Sequence, residues 1–404
     1  MTRRFGARAR ALLAELAADA LSEPRFALRR LGLRLRRERW LGAWERRGVS
    51  DGVAAVVRLQ RLIVFALAHG MMREDGLPDA ALALSKGLPA WDRDAMEVAL
   101  FALPEPARTA TRHGITDALA GRLLAERTDV DALLIASNQR APLVVRANRL
   151  RCTASELSAR LRAEGVATVP AALAEDALVV VGHPNVEGTS PFREGWFEPQ
   201  DEASQLVAAL CEAPVGAVVL DACAGAGGKT LALASRARGH IRLVACDVDA
   251  GRLAELGRRA ARAGARIDAR SPDALGDLAA EVVLVDAPCS GSGTLRRDPG
   301  LRHALEGAAL DAHPPVQRAV LGRYAEHVRP GGRLVYATCS LLCAENQEVV
   351  AAFLEQNAAF RQVPLVELLG RERALAIGDG ALLQMAPHTH GTDGFFAAVL
   401  GRLP

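Results

Sequence analysis

The segment Asp221–Thr230, DACAGAGGKT, constrains this chain more than any other stretch. It follows the apolar run Val218–Asp221 and leads into helical periodicity. A strand must therefore end and a helix begin within a turn whose residues are small enough to let a ligand approach the backbone. Two common ligands of such turns fit poorly. A nucleoside-triphosphate loop, G-x-x-x-x-G-K-T, needs glycine at position 223, where Cys223 stands. A dinucleotide fingerprint, G-x-G-x-x-G, needs glycine at position 230, where Thr230 stands.

The surroundings of the turn set the fold class. Apolar runs at Val218–Asp221, Arg242–Asp247, Val282–Asp286 and Arg333–Ala337 alternate with helical segments such as Leu253–Ala263 and Val316–Val328. Near-continuous apolar strands with helical crossovers predict a doubly wound α/β fold, a parallel sheet covered on both faces. Leu382–Ala386 and Phe395–Leu400 predict an antiparallel hairpin at its edge. Ligands of such a sheet lie beyond the carboxyl ends of its strands.

At 404 residues the chain is long enough for two or three domains. Residues 1–135 predict helices only, including Ala11–Leu21, Val53–Ala68 and Ile115–Leu124, with Trp40, Trp44 and Trp91 as core anchors. Residues 136–205 predict a small α/β module with strands at Leu143–Ala147 and Ala177–Val181, a helix at Ala154–Glu164, and a Gly/Pro-rich run, Gly182–Pro191. Around its first strand stand Asn138, Gln139, Arg140, Arg146 and Asn148, suited either to touching phosphates or to capping turns. Residues 206–404 form the α/β domain.

No run of eighteen apolar residues and no export-signal core is present, so neither a membrane nor secretion is expected. Seven scattered cysteines predict free thiols in a reducing, cytoplasmic compartment. Cys339 and Cys343 lack a second ligand pair, so no metal is expected. Residues 1–60 hold fourteen Arg against six Asp or Glu, an excess that favours a polyanionic partner. Of the 50 Lys and Arg in the chain only two are lysines, Lys86 and Lys229. Lys229 sits inside the glycine turn, where a compact charge fits better than a planar fork.

An acid followed four and six residues later by Gly225 and Gly227 is the form seen in S-adenosylmethionine-dependent methyltransferases. Asp247, ending the next strand twenty residues after Gly227, is placed to accept from both ribose hydroxyls. Two further strands end in DAPCS and ATCS, so Cys289 and Cys339 face one crevice. Either thiol could serve there as a nucleophile toward one substrate. Spacing alone does not choose between the two.

Together DACAGAGGKT, DAPCSGSGTLRRDP, VYATCS, QDEASQ and HGTDGFF make residues 138–400 resemble the RsmB-like Sun/Fmu (NOL/NOP/Sun) family of RNA cytosine-5 methyltransferases. The resemblance implies a Rossmann-like methyltransferase domain, a NusB-like all-α amino-terminal domain and S-adenosylmethionine as cofactor. The expected substrate is RNA, foremost 16S ribosomal RNA, and the expected working unit is a monomer. It assigns the nucleophile to Cys339 and product release to Cys289; Asp286 is positioned to hold the cytosine's ring nitrogen or exocyclic amine, and Lys229 to stabilise charge near it. Cofactor contacts fall on Cys223, Ala224, Gly225, Ala226, Gly227, Gly228, Lys229, Asp247 and Asp286, with Asp273 at the adenine. Ala226 replaces the family's usual proline, and Pro272 replaces the glycine usual before Asp273. Transfer RNA or another RNA as substrate, and an RNA-binding assembly factor with a vestigial cofactor site, stay open from sequence.

Overall fold

A computed structural model describes residues 5–182 and 184–404. Arg3 and Arg4 of the basic block and His183 of the Gly182–Pro191 run lie outside these residues. The chain folds as two compact units. One comprises the residues up to Arg140 together with Thr294–Asp311; the other comprises Ala141–Gly293 and Ala312–Pro404.

The first unit is helical. Leu13, Leu16, Leu31, Val53, Val56 and Ile63 form its main core. The continuous helix predicted over Val53–Ala68 is instead two, Ala43–Arg58 and Gln60–Ala68, because Leu59 leaves the helical region. Trp40 and Trp91 pack on the core, whereas Trp44 is exposed and meets Phe5 edge to face. The basic surplus is partly neutralised locally: Arg30 pairs with Asp19 and Glu23, and Arg34 with Glu38.

The inserted segment Thr294–Asp311 places Arg302 in this unit's interior, 1% exposed. Its guanidinium donates to the carbonyls of Arg58 (3.0 Å), His113 (3.1 Å), Ser137 (3.2 Å) and Leu295 (3.4 Å), and to the Asn138 side chain. Arg58, His113 and Ser137 are the last residues of the helices Ala43–Arg58, Ala107–His113 and Val130–Ser137. Three helix carboxyl ends, each carrying partial negative charge, thus surround one cation. Burial still lowers the Arg302 pKa to about 9. Asn138 therefore serves internal structure, whereas Arg140 is exposed and pairs with Asp51 at 2.9 Å.

The second unit carries two sheets. β1 (Val144–Ala147), β2 (Thr168–Pro170), β3 (Ala177–Val180) and β4 (Phe197–Pro199) form a small antiparallel sheet in the order β2-β3-β1-β4. β2 and β4 are three residues long and end in proline, which hides them from periodicity. Arg146 and Asn148 are buried and serve the fold: Arg146 donates to Gln200, and Asn148 to the carbonyls of Gly195 and Ala263.

The large sheet contains β5 (Val218–Asp221), β6 (Arg242–Cys246), β7 (Asp268–Arg270), β8 (Ala280–Asp286), β9 (Val328–Thr338), β10 (Phe360–Val363), β11 (Leu383–Met385) and β12 (Phe395–Arg402). Its order is β10-β12-β9-β8-β5-β6-β7, with β11 also on β12. β5 through β9 pair in parallel, and β12 is antiparallel to β9. This is a Rossmann-like sheet. The tail hairpin forms as expected, β11 pairing antiparallel with β12 and lying at the edge, but β12 is interior, with β9 on one side and β10 and β11 on the other. The strand order reverses between β5 and β8, which opens a crevice at their carboxyl ends.

Arg302→Met leaves the converging carbonyls without their donor. It is expected to lower the stability of the helical unit by roughly 3 kcal/mol. Urea unfolding of the full chain measures this, and a change near zero contradicts the role.

Candidate active site

β5 ends at Asp221, which is fully buried, and its carboxylate accepts from the Thr230 hydroxyl at 2.7 Å. Burial raises its pKa to about 7. The turn that follows depends on Gly227, where φ is +90° and an added Cβ would strike Leu256. At Gly225 and Gly228 an added Cβ would meet no protein atom, so the space before the turn is clear. The helix Gly228–Arg236 begins there without a side-chain cap. Backbone donors and room of this kind suit an elongated polar ligand.

Asp247, just past β6, fixes the turn. One carboxylate oxygen accepts from the Gly225 N–H and the other from the Asp249 N–H, both at 2.8 Å. Asp249, not Asp247, caps the next helix. Asp247 retains lone pairs for further donors. On the other side of the turn, Arg259 donates to the Ala226 carbonyl at 2.7 Å and pairs with the buried Glu198 of β4 at 2.9 Å. Gln200 joins Arg146 of β1 to the Gly228 carbonyl. The small sheet thus holds the glycine turn through Arg146 and Gln200, and through Glu198 and Arg259, which the sequence did not single out.

Lys229 is buried, and its ammonium lies 2.7 Å from Asp286, at the end of β8. Burial alone would lower its pKa; the Asp286 carboxylate outweighs this, and the net shift is upward. The ammonium also lies over the Phe395 ring, 4.9 Å from its centroid. Cys223 lines the turn as a thiol, its pKa pushed up by burial and by Asp221, Asp286 and Asp247.

Cys289 and Cys339 follow β8 and β9. Those neighbouring parallel strands bring their sulfur atoms to 3.3 Å, as free thiols sharing a hydrogen bond. The loops are joined again by the Gly293 N–H on the Cys339 carbonyl, and the Gly394 N–H on the Gly293 carbonyl ties in the HGTDGFF stretch. The shared hydrogen bond with Cys289 lowers the Cys339 pKa, opposed by burial and Asp286 and helped by Lys229. The same bond, burial and the Glu345 charge raise that of Cys289. Two sulfurs this close ionise as a pair, and the shared hydrogen bond, above all, favours the charge on Cys339.

The structure therefore gathers Lys229, Asp286, Cys289 and Cys339 into one cluster beside the turn Cys223–Lys229 and Asp247. It does not bring Asp273 among them. That side chain is 98% exposed on a turn after β7 and lies 3.6 Å from Arg323. Among the described residues no group of His, Cys, Asp and Glu is placed to hold a metal, and no helix is long and apolar enough to cross a membrane.

Residues 209–401 match the family described as 16S rRNA methyltransferase RsmB/F. Through these residues the chain is similar to the RsmB/F methyltransferases. Residues 125–187 match the RsmF/B-like ferredoxin-like domain. The chain is 35% identical over 274 residues to the ribosomal RNA small subunit methyltransferase B of Vibrio cholerae, covering 66% of this chain and 60% of the relative. It is 33% identical over 260 residues to the probable enzyme of that name in Bacillus subtilis, covering 62% and 58%. The aligned part thus spans about three-fifths of these relatives' length. A solved methyltransferase homologue from Pyrococcus horikoshii superposes with a TM-score of 0.62 at 25% identity, over 74% of this chain and all of that one.

The likeness to methyltransferases points to S-adenosylmethionine, and the open turn and the remaining lone pairs of Asp247 fit that ligand. Arg259→Gln removes the tether on the Ala226 carbonyl. Calorimetry with S-adenosylmethionine is expected to show roughly tenfold weaker binding, the worth of a charge-assisted hydrogen bond. Adding Ala226→Pro should restore part of it, and unchanged affinity in Arg259→Gln contradicts the tether.

Proposed function

We propose that this chain transfers a methyl group from S-adenosylmethionine to C5 of a cytosine in RNA, with 16S ribosomal RNA as the substrate. The relatives' names support that substrate. The observation that carries the chemistry is the 3.3 Å sulfur pair beside the Lys229–Asp286 ion pair. In this reading residues 1–135 and 136–205 hold RNA and residues 206–404 perform the reaction. The setting is the cytoplasm and one copy acts alone.

The Cys223–Lys229 turn holds the cofactor along its backbone, and Asp247 accepts from the ribose hydroxyls. Asp286 orients the cytosine through its ring nitrogen or amine, and Lys229 steadies charge on the base. Cys339 adds as thiolate to C6, forming the S–C6 bond and moving the ring electrons to C5. The bound cofactor supplies an electrophilic methyl group to that carbon. Cys289 then assists release: the C5 proton is lost, the S–C6 bond breaks, and the ring regains aromaticity with Cys339 free. The base must leave any stack to reach the sulfur, at a cost of a few kcal/mol.

Mapping 5-methylcytosine in ribosomal and transfer RNA from cells with and without the gene tests the reading. One cytosine of 16S RNA is expected to lose its methyl group; loss confined to transfer RNA overturns the substrate. Cys339→Ala is expected to lower methylation at least about a thousandfold, as loss of a nucleophile does. Cys289→Ala should instead accumulate a protein–RNA adduct stable in denaturing gels. Wild-type rates in Cys339→Ala would contradict its role.

A further inference from the structure

Beyond the cysteine pair lies a buried acid with no part in the reaction as derived above. Glu345 is fully buried in the short turn Cys343–Glu345 that follows β9. One carboxylate oxygen accepts from the Ser290 N–H at 2.8 Å and from the Gln317 side chain at 2.9 Å. The other accepts from the Ser340 hydroxyl at 2.8 Å. Ser290 and Ser340 are the residues directly after Cys289 and Cys339. The one carboxylate therefore grips both cysteine loops at the same position in each.

The grip is reinforced on every side. Gln317 also donates to the carbonyl of Pro288, so both neighbours of Cys289 are held. Asn346 donates to the Ser340 carbonyl and accepts from the Thr338 hydroxyl, so both neighbours of Cys339 are held too. Tyr336 of β9 donates to the Glu345 carbonyl at 2.6 Å and fixes its backbone. Ser292 bridges the loops again, meeting the Ser340 hydroxyl at 3.1 Å and accepting from the Leu341 N–H. Three donors thus converge on one carboxylate in a site closed to water.

We propose that Glu345 is a positioning residue for the cysteine pair, clamping the two loops at their sulfur separation and setting a negative charge on the Cys289 side. On the Cys339 side stands the Lys229–Asp286 ion pair. The titratable groups facing Cys289 are Cys339, Glu345 and Tyr336, and those facing Cys339 are Cys289, Lys229 and Asp286. Two thiols 3.3 Å apart share their ionisation, and the charges flanking them decide which sulfur carries it. Glu345 thereby keeps Cys289 a thiol while Cys339 is the thiolate. The different tasks given to the cysteines rest on the proposed function, but the clamp and its charge do not.

The test is alkylation of the full chain by iodoacetamide from about pH 6 to pH 10, with each cysteine read by peptide mass, in the absence of RNA and cofactor. Wild type is expected to label Cys339 at lower pH than Cys289. In a Cys339→Ala background, Glu345→Gln keeps the shape and removes the charge. It should move the Cys289 labelling midpoint down by roughly one pH unit, whereas Glu345→Asp should leave it in place. An unmoved midpoint in Glu345→Gln, with or without a lower melting temperature, reduces Glu345 to a structural acid and overturns the proposal. So does an equal shift in Glu345→Asp.

Should Glu345→Gln fail to fold, Ser340→Ala cuts one tie and keeps the charge. Capture of the dithiol by phenylarsine oxide should then weaken roughly five- to tenfold, the worth of one hydrogen bond; unchanged capture overturns the clamp. Alkylation needs no substrate. Absence of RNA methylation with the expected labelling therefore removes the proposed reaction alone, and the converse removes the clamp alone.

Discussion

Two sulfur atoms at hydrogen-bonding distance cannot both be charged, and the architecture around them resolves that constraint. β8 and β9 are neighbours in parallel register, so the residues just past their ends emerge side by side. Asp286 and Lys229 stand on one flank, and Glu345 with its three donors stands on the other. The sheet supplies proximity, and the flanking charges supply the difference between two chemically identical side chains.

The same division of labour governs the glycine turn. Its backbone is shaped by Gly227 and held by Asp247 from within the large sheet. From outside, Arg259 and Gln200 link it to the small sheet. Arg259 fastens the carbonyl of Ala226, where a proline would have stiffened the chain covalently. A hydrogen bond from a guanidinium that is itself paired with Glu198 restrains the same residue by different means.

Much of this was legible in the sequence because strands and turns write local signals. The strand ends at Asp221 and Asp286, and to within one residue that at Thr338, follow from apolar runs broken by small or polar residues, and the paired cysteines follow from those ends. The three-residue strands β2, β4 and β7 left no period to read. The interior place of β12 depends on pairing partners far away in the chain. The insertion of Thr294–Asp311 into the helical unit is hidden for a related reason: Arg302 finds its acceptors at helix ends that only tertiary packing brings together. Arg146 and Asn148 looked equally suited to phosphate and to caps, and burial decided for structure. Glu345 left a faint trace, an acid six residues past Cys339, whose meaning rests on Ser290 and Gln317 arriving from elsewhere.

The central claim is that Cys339, and not its neighbour, bonds to the base. RNA carrying 5-fluorocytosine, whose C5 substituent cannot depart as a proton does, holds the adduct after methyl transfer. Incubation with the full chain and S-adenosylmethionine, followed by peptide mass mapping of the linked residue, reads the bond directly. Attachment at Cys339 is the predicted result; attachment at Cys289, or no attachment to an RNA that the protein methylates in its unfluorinated form, contradicts the account.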